Sequence, residues 1–418
     1  MAPSLPSTDD DKNRRKFDIN QVSAKREVLI EGNYYDVTRW SQFHPGGRVI
    51  NYYTESGEDA TIPFLQVLRF RNALPFRRDS EEDCEREPSK TEKRNNKALN
   101  ERFKLLHAEF DQAGLFNPSL SHVLSRIAEF SLYLFLAWVI LANCEFSACR
   151  RILGIFMLTM AYGRIVWLAH EGGHYSLTGR PRVDSYLQKF LIWKWVVGIL
   201  VESQPSQARH HAMPQRIHRD VDLDTLPLLA FSKKCFSNQN LQSAKNFFIK
   251  YQAILFLPVH TFIVTIRWSL YLHPQYCYRK GQFFEIFCIS LHFLFALTNF
   301  GILNFLMAKW LWSMYMFGNF SISHTHLEVT AEPQHWVEYA FHNTINVKST
   351  PFMDWWMGWL NFQIEHHLFP TMPQFRSPLI KKRVKKFAEE NGLPYKEFGY
   401  FEAFKATLKN LRDVAKEH

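Results

Sequence analysis

The chain has 418 residues, 46% hydrophobic, 16% aromatic and 22% charged, with a formal net charge of +10. That length admits two domains or one large one. The positive balance suits an anionic membrane surface or nucleic acid; no nucleic-acid-binding motif occurs, so a nucleic-acid partner is excluded and a membrane is expected.

The chain starts MAPSLPSTDDDKNRRK, polar and charged, without the apolar core of a cleaved secretory signal. Membrane targeting is therefore expected from internal segments. Residues 17–75 read as a small, polar, mixed domain that contains HPGG at 44–47. Residues 76–99 are almost all charged or polar and read as a solvated linker or an exposed helix. The six cysteines form no CxxC pair and no disulfide-like framework, which fits a protein facing the cytosol.

From about residue 123 the composition changes. Residues 130–144, 152–163, 251–266 and 286–308 carry no charge. A bilayer span needs about 20 mostly apolar residues, so these runs predict spans at about 124–145, 150–169 and 251–272, and one or two within 284–323. Arg164 and Lys194 lie in or beside apolar runs and must face protein or an interface. Residues 183–201 read as interfacial. The last 45 residues are basic and amphipathic, as expected of a helix on the cytosolic face.

Three short stretches carry paired histidines: HEGGH at 170–174, QARHH at 207–211 and QIEHH at 363–367. On a helix, positions i, i+3 and i+4 share a face. His170 and His174 therefore point together, as do Gln207, His210 and His211, and Gln363, His366 and His367. Neutral imidazole is the commonest metal ligand and suits iron, zinc or copper. Three such sets beside apolar spans point to a metal site. The sets meet only if an even number of crossings separates them, so 251–323 must cross twice, and one of its apolar runs must be re-entrant or interfacial. Glu171, Asp220 and Asp222 sit beside the histidines as candidate acceptors that orient imidazole N–H groups.

These boxes, with NFQIEHHLFPTMP at 361–373, HHAMPQRIHRDVDLDTLP at 210–227, GEDAT at 57–61 and HPGG, resemble the membrane fatty acid desaturases of the cytochrome b5-fusion, front-end (delta-6/delta-5-like) type. The similarity covers roughly residues 20–400. It implies an α-helical multi-pass membrane protein of about four transmembrane helices with a cytosolic histidine-rich diiron cap. An N-terminal α+β cytochrome b5-like domain would span 17–75, the charged linker 76–99 and the desaturase domain 100–418. It implies a catalytic set of His170, His174, His210, His211, His366 and His367 around two non-haem irons. Gln207, Gln363 and His324 complete the implied ligand set. His324 lies in SISHTHLE, with Glu328 at the family's His-to-Glu spacing; His326 is the lesser alternative. His218, His260, His292, His335 and His342 are read as structural.

The implied reaction inserts a double bond into a polyunsaturated acyl chain with O2, and with electrons from cytochrome b5 and its NADH-dependent reductase. The acyl carrier, CoA or phospholipid, is left open. The implied location is the endoplasmic reticulum membrane, both termini cytosolic. Trp355, Trp356, Trp359 and Phe362 are expected to line an acyl tunnel or to form an interfacial belt.

Two positions depart from the family. Gln207 stands where the second box begins with histidine; an amide oxygen is a harder, weaker ligand than imidazole. In the N-terminal domain His44 is the expected axial ligand of haem b, but Leu68 occupies the place of the second, 24 residues on. An aliphatic side chain cannot coordinate iron. The alternatives that remain are an impaired homologue with a lipid-binding or regulatory role, and a sphingolipid desaturase or hydroxylase.

Overall fold

The computed structural model describes residues 25–39, 41, 49–67, 90–142, 147–195, 209–223, 225–236, 247–332 and 334–416. His44, Leu68 and Gln207 lie outside the described residues, as do 76–89 of the expected linker.

The N-terminal domain opens with an antiparallel hairpin. β1 (Glu27–Ile30) pairs with β2 (Asn33–Asp36), Glu27 opposite Asp36. The two-residue turn needs positive φ at both positions, and Glu31 and Gly32 supply 52° and 80°. Helices α1 (Val49–Ser56) and α2 (Thr61–Val67) follow. Val28, Ile30, Ile50, Tyr52 and Tyr53 form a small core, joined by Ala212 and Met213 from the second histidine box. Residues 90–99 begin α3 (Lys90–Gln112), whose Phe103, Leu106 and Phe110 are buried. This part of the expected linker is thus a helix, and by Leu99 it enters the core.

Four described helices are long and apolar enough to cross a membrane: α4 (Leu120–Leu141), α5 (Ala148–Gly173), α7 (Gln252–Arg279) and α8 (Phe283–Phe300). α6 (Pro181–Trp195) lies between α5 and α7, and α9 (Ile302–Ser321) follows α8. The 284–323 stretch is therefore two helices, broken at Gly301 with φ 72°. α5 is buried along most of its length, whereas α4 exposes Leu124, Leu132, Phe135 and Trp138, and α8 exposes Phe284, Phe287, Leu291 and Leu294. Rows of exposed apolar side chains of this extent need an apolar environment. α9 is the more polar helix and packs inside, with Trp312 and Ala308 fully buried.

Polar contacts fix which ends meet. Trp138 Nε1 donates to Asn299 Oδ1 at 3.1 Å, and Arg151 Nε to Asn304 Oδ1 at 2.6 Å. The α8–α9 turn therefore sits at the same end as the α4–α5 turn, and α5 and α9 both run from there toward the histidines. α7 starts at the histidine end, antiparallel to α9: Leu257 lies beside Gly318, Thr261 Oγ1 is 3.1 Å from Ser313 Oγ, and Phe256 packs with Val329. Since both ends of the 252–321 stretch lie on the histidine side, only two of its three long helices cross.

Arg164, buried within α5, donates to Trp356 O at 3.1 Å and also bonds Trp355 O and the Tyr315 hydroxyl. The sequence expectation that it faces protein holds. Gly163 allows this approach: a Cβ there would stand 2.4 Å from the Tyr315 ring. The side chain of Lys194 is outside the described residues.

The remaining chain forms a cap on the histidine end. It comprises α10 (Trp336–His342), β3 (Asn346–Val347), α11 (Pro351–Trp356), α12 (Gln363–Leu368), α13 (Ser377–Glu390), β4 (Glu397–Phe398) and α14 (Tyr400–Lys416). β3 and β4 pair in parallel. Phe103, Trp336, Phe341, Ile364, Phe369, Val384 and Phe387 make the core of this cap. The basic C-terminal stretch is helical, as expected, and its buried stripe (Ala403, Thr407, Leu411, Val414) faces inward.

Candidate metal centre

Each histidine box is delivered by a different element. α5 ends at Gly173, so His170 occupies its last turn and His174 its C-cap. His210 and His211 lie in helical residues 209–212, and His324 follows α9. α12 is only six residues, all of them buried, and its N-terminus is held from outside. Asn346 Oδ1 accepts from Ile364 N at 2.9 Å, while Asn346 Nδ2 donates to Glu365 Oε2 at 2.7 Å. Tyr395 OH donates to Glu365 Oε1 at 2.6 Å. A helix this short is marginal alone; these bonds and the cap core orient His366 and His367.

The boxes do not map one to one onto sites. Ring nitrogens of His170, His174, His211 and His366 converge in one group, and those of His210, His324 and His367 in a second. Adjacent histidines on a helix point about 100° apart, because 3.6 residues make a turn, so His210/His211 and His366/His367 each divide between the groups. The shared face expected of His210 with His211, and of His366 with His367, is in this respect corrected. His211 and His367 link the groups, their rings stacked with centroids 4.2 Å apart. His170 Nε2 and His366 Nε2 are 3.0 Å apart. With metal–imidazole bonds of about 2.0–2.1 Å, neighbouring ligands of one ion stand about 3 Å apart.

Supporting contacts choose which nitrogen faces inward. His324 Nδ1 donates to Asn343 O at 2.9 Å, which leaves its Nε2 lone pair toward the group. His210 Nδ1 faces Asp220 Oδ1 at 3.0 Å and Asp222 Oδ2 at 3.3 Å. These are the acceptor positions expected of Asp220 and Asp222, and such partners fix tautomer and orientation. Gln363 Nε2 lies 3.0 Å from His324 Nε2, and turning its amide over brings the oxygen to the same point.

Burial sets the charge state. Burial, with neighbouring His210, pushes His324 down to about 3. Burial also holds His174, His211, His366 and His367 well below the usual imidazole value, reinforced by the other rings. These imidazoles are neutral at pH 7, as metal ligands must be. For Asp220, burial raises the carboxyl, but the facing His210 and the hydrogen bonds from it and from two backbone amides outweigh that and leave it below the carboxylate range. Burial raises Glu365 to about 7 against the hydrogen bonds from Tyr395 and Asn346.

The test of fit to a metal is the polar atoms that protein leaves unsatisfied. His174 Nε2, His211 Nδ1 and both ring nitrogens of His367 are buried without a hydrogen-bond partner. Such atoms cost free energy unless something binds them, and their convergence fits a cation.

Other expected residues fall elsewhere. Glu171 faces His122 Nε2 at 2.9 Å, not a histidine of the two groups. Glu328 is exposed and pairs with Lys234 at 3.5 Å, outside both histidine groups. His326 stacks on Phe398 outside both groups. His218, His260, His292, His335 and His342 are also outside them. Trp355 Nε1 donates to Glu129, Trp356 packs on Tyr315, and Arg126 lies over the Trp359 ring; these three are half-buried, whereas Phe362 is buried.

Sequence reasoning missed His122, Asn346 and Glu365. His122 stacks on Phe375 with centroids 4.5 Å apart and holds Glu171, which adjoins His170. Its position three residues after the Ser119 cap carries no motif. Glu365 was legible only as the middle of QIEHH.

Residues 151–399 match the family described as fatty acid desaturase, and residues 18–97 match the cytochrome b5-like haem/steroid binding domain. The chain belongs to the fatty acid desaturase family. Over 419 residues, 96% of this chain and 94% of the relative, it is 38% identical to an acyl-lipid (8-3)-desaturase of Rebecca salina. A protein of the same description from Thraustochytrium sp is 34% identical, covering 93% of this chain and 92% of the relative. A fatty acid desaturase 2-like protein of Mus musculus is 26% identical over 94% of this chain and 82% of the relative. The desaturase is thus an oxidoreductase of the cytochrome b5-fusion, front-end type and a membrane protein.

Proposed function

We propose that this desaturase inserts a double bond toward the carboxyl end of a polyunsaturated chain carried on a membrane lipid, as the acyl-lipid names of two relatives have it. The observation that carries the reading is the convergence of seven largely buried histidines in two adjoining groups. His170, His174, His211 and His366 would hold one iron, and His210, His324 and His367 the other, with Gln207 and Gln363 as further oxygen donors. Bound there, iron supplies the redox chemistry with O2 that removes hydrogen from an unactivated methylene, which acid–base side chains cannot do. The protein's own part is geometric. Asp220 and Asn343 hold rings in one tautomer, α12 is locked by Asn346 and Tyr395, and the cap core excludes water.

Electrons arrive, in this reading, from a separate cytochrome b5 and its NADH-dependent reductase, because Leu68 cannot ligate haem. His44 would hold haem b where the domain carries it. The desaturase would sit in the endoplasmic reticulum membrane with both termini cytosolic, and 17–75 would be a domain distinct from 100–418.

The test is expression in a yeast lacking polyunsaturated lipids, fed 18- and 20-carbon polyunsaturated acids, with new double bonds located by mass spectrometry. A new product fixes the regiochemistry and shows Gln207 to be a tolerated ligand position. No product from well-expressed protein, with activity regained in Gln207→His, would replace this reading with that of an impaired homologue.

A further inference from the structure

A third group of metal-binding side chains lies away from the histidine cap. His273, Cys277 and Glu285 bring one ligand atom each to within 4.8 Å of one another. Cys277 Sγ is 3.4 Å from His273 Nε2 and 3.3 Å from Glu285 Oε2. Cys277 is fully buried and Glu285 is 8% exposed, while His273 is half-buried at the rim.

Local structure explains the convergence. His273 and Cys277 are i and i+4 on the last turns of α7, so they share a face. The preceding turn, Trp268–Leu272, is a wide π turn, which shifts the helical phase of the residues after it. Trp268 stacks on the His273 ring, centroids 5.9 Å apart. A tight reversal at Gly281, φ 66°, with Gln282 N donating to Cys277 O at 2.8 Å, brings α8 back so that Glu285 in its first turn faces Cys277.

We propose that His273, Cys277 and Glu285 bind a divalent, borderline-soft cation, zinc being the best match, which staples α7 to α8 across their reversal. Zn–S of about 2.3 Å and Zn–N or Zn–O of about 2.0–2.2 Å at tetrahedral angles set neighbouring ligand atoms about 3.4–3.6 Å apart. The two measured separations fall within a few tenths of an ångström of that. One thiolate, one imidazole and one carboxylate form a set that selects zinc over the hard cations. The exposed side of His273 leaves a fourth position for water. The competing arrangement is a hydrogen-bonded chain, imidazole to thiol to carboxylate, with no ion.

Cobalt(II) separates the two. A thiolate bound to cobalt gives a near-ultraviolet charge-transfer band, and neither histidine group contains sulfur, so the band separates this site from them. Full-length protein stripped with chelator and titrated with cobalt is expected to show the band, and zinc to abolish it. Cys277→Ser should remove the band and one equivalent of bound zinc per chain, while Cys235→Ser and Cys288→Ser retain both. Glu285→Gln and His273→Asn, which keep the thiol, should weaken zinc tenfold or more. No band in the parent protein, a band that survives Cys277→Ser, or zinc affinity unchanged in both Glu285→Gln and His273→Asn overturns the proposal.

Discussion

His367 and Tyr53 meet two faces of one short segment, and the faces are built by different chemistry. Inward, residues 209–220 present the buried imidazoles of His210, which faces Asp220, and of His211, which burial holds well below the usual imidazole value. Outward, the same segment carries the N-terminal domain. Tyr53 OH donates to Ala212 O at 3.4 Å, Tyr52 OH to Arg219 O at 3.1 Å, and Arg216 pairs with Glu58 at 2.6 Å, both nearly buried. Asn100 Nδ2 adds a bond to Asp59 at 2.7 Å. The inward face depends on unsatisfied nitrogens that suit an ion. The outward face is held to the N-terminal domain by protein–protein bonds such as these. A domain that lacks a haem ligand in sequence can therefore still serve the enzyme by buttressing the second box.

Breaking each face should show the difference. The largest effect is expected at His366→Ala or His211→Ala, which take a ring from the four-histidine group; desaturation in fed yeast should fall to background, whereas His342→Ala stays within about twofold. Arg216→Met leaves Glu58 buried and unpaired, and a broken buried pair costs about 3 kcal/mol or more. Denaturant unfolding should show that loss, and restoration in the Glu58→Gln, Arg216→Met double variant would sharpen it.

His335 gives the outward face a pH dependence. Its Nε2 lies 2.8 Å from Asn100 Oδ1, and its buried Nδ1 has no partner. Burial pushes it down to about 4, with Asp59 opposing. The folded value lies below the unfolded value near 6.5, so the unfolded chain binds the proton more tightly between them. Stability present above pH 6.5 is lost as pH falls toward 4, by on the order of 2 kcal/mol at pH 5. His335→Asn should flatten that part of the slope in thermal unfolding followed from pH 7 to pH 5.

Asp220→Asn keeps the shape but weakens the acceptor behind His210; metal affinity should drop about ten- to hundredfold in chelator competition. The smallest effect is expected at Glu55→Gln. Its pair with Arg219, at 2.6 Å, is exposed, and such pairs contribute under about 1 kcal/mol. A larger loss there would mean that docking rests on surface charge and not on the buried Glu58 pair.

The sequence by itself determined the chemistry and the membrane class. HEGGH, QARHH and QIEHH state ligand type and helical spacing locally, and uncharged runs state the apolar helices, because both signals are periodic within one element. Arg164 followed from the same logic, since a charge in an apolar run must find protein partners. The tertiary structure alone decided how seven histidines divide four and three, because His170 and His366 are 196 residues apart and meet only through packing. It also decided that Glu171 serves His122, that Glu328 pairs with Lys234, and that Asn346 and Tyr395 lock α12. These residues act through contacts distant in the chain, which leave no period or spacing to read. The docking of Tyr53 and Glu58 on the second box is of the same kind: ordinary residues of one domain, given a role by the surface they meet.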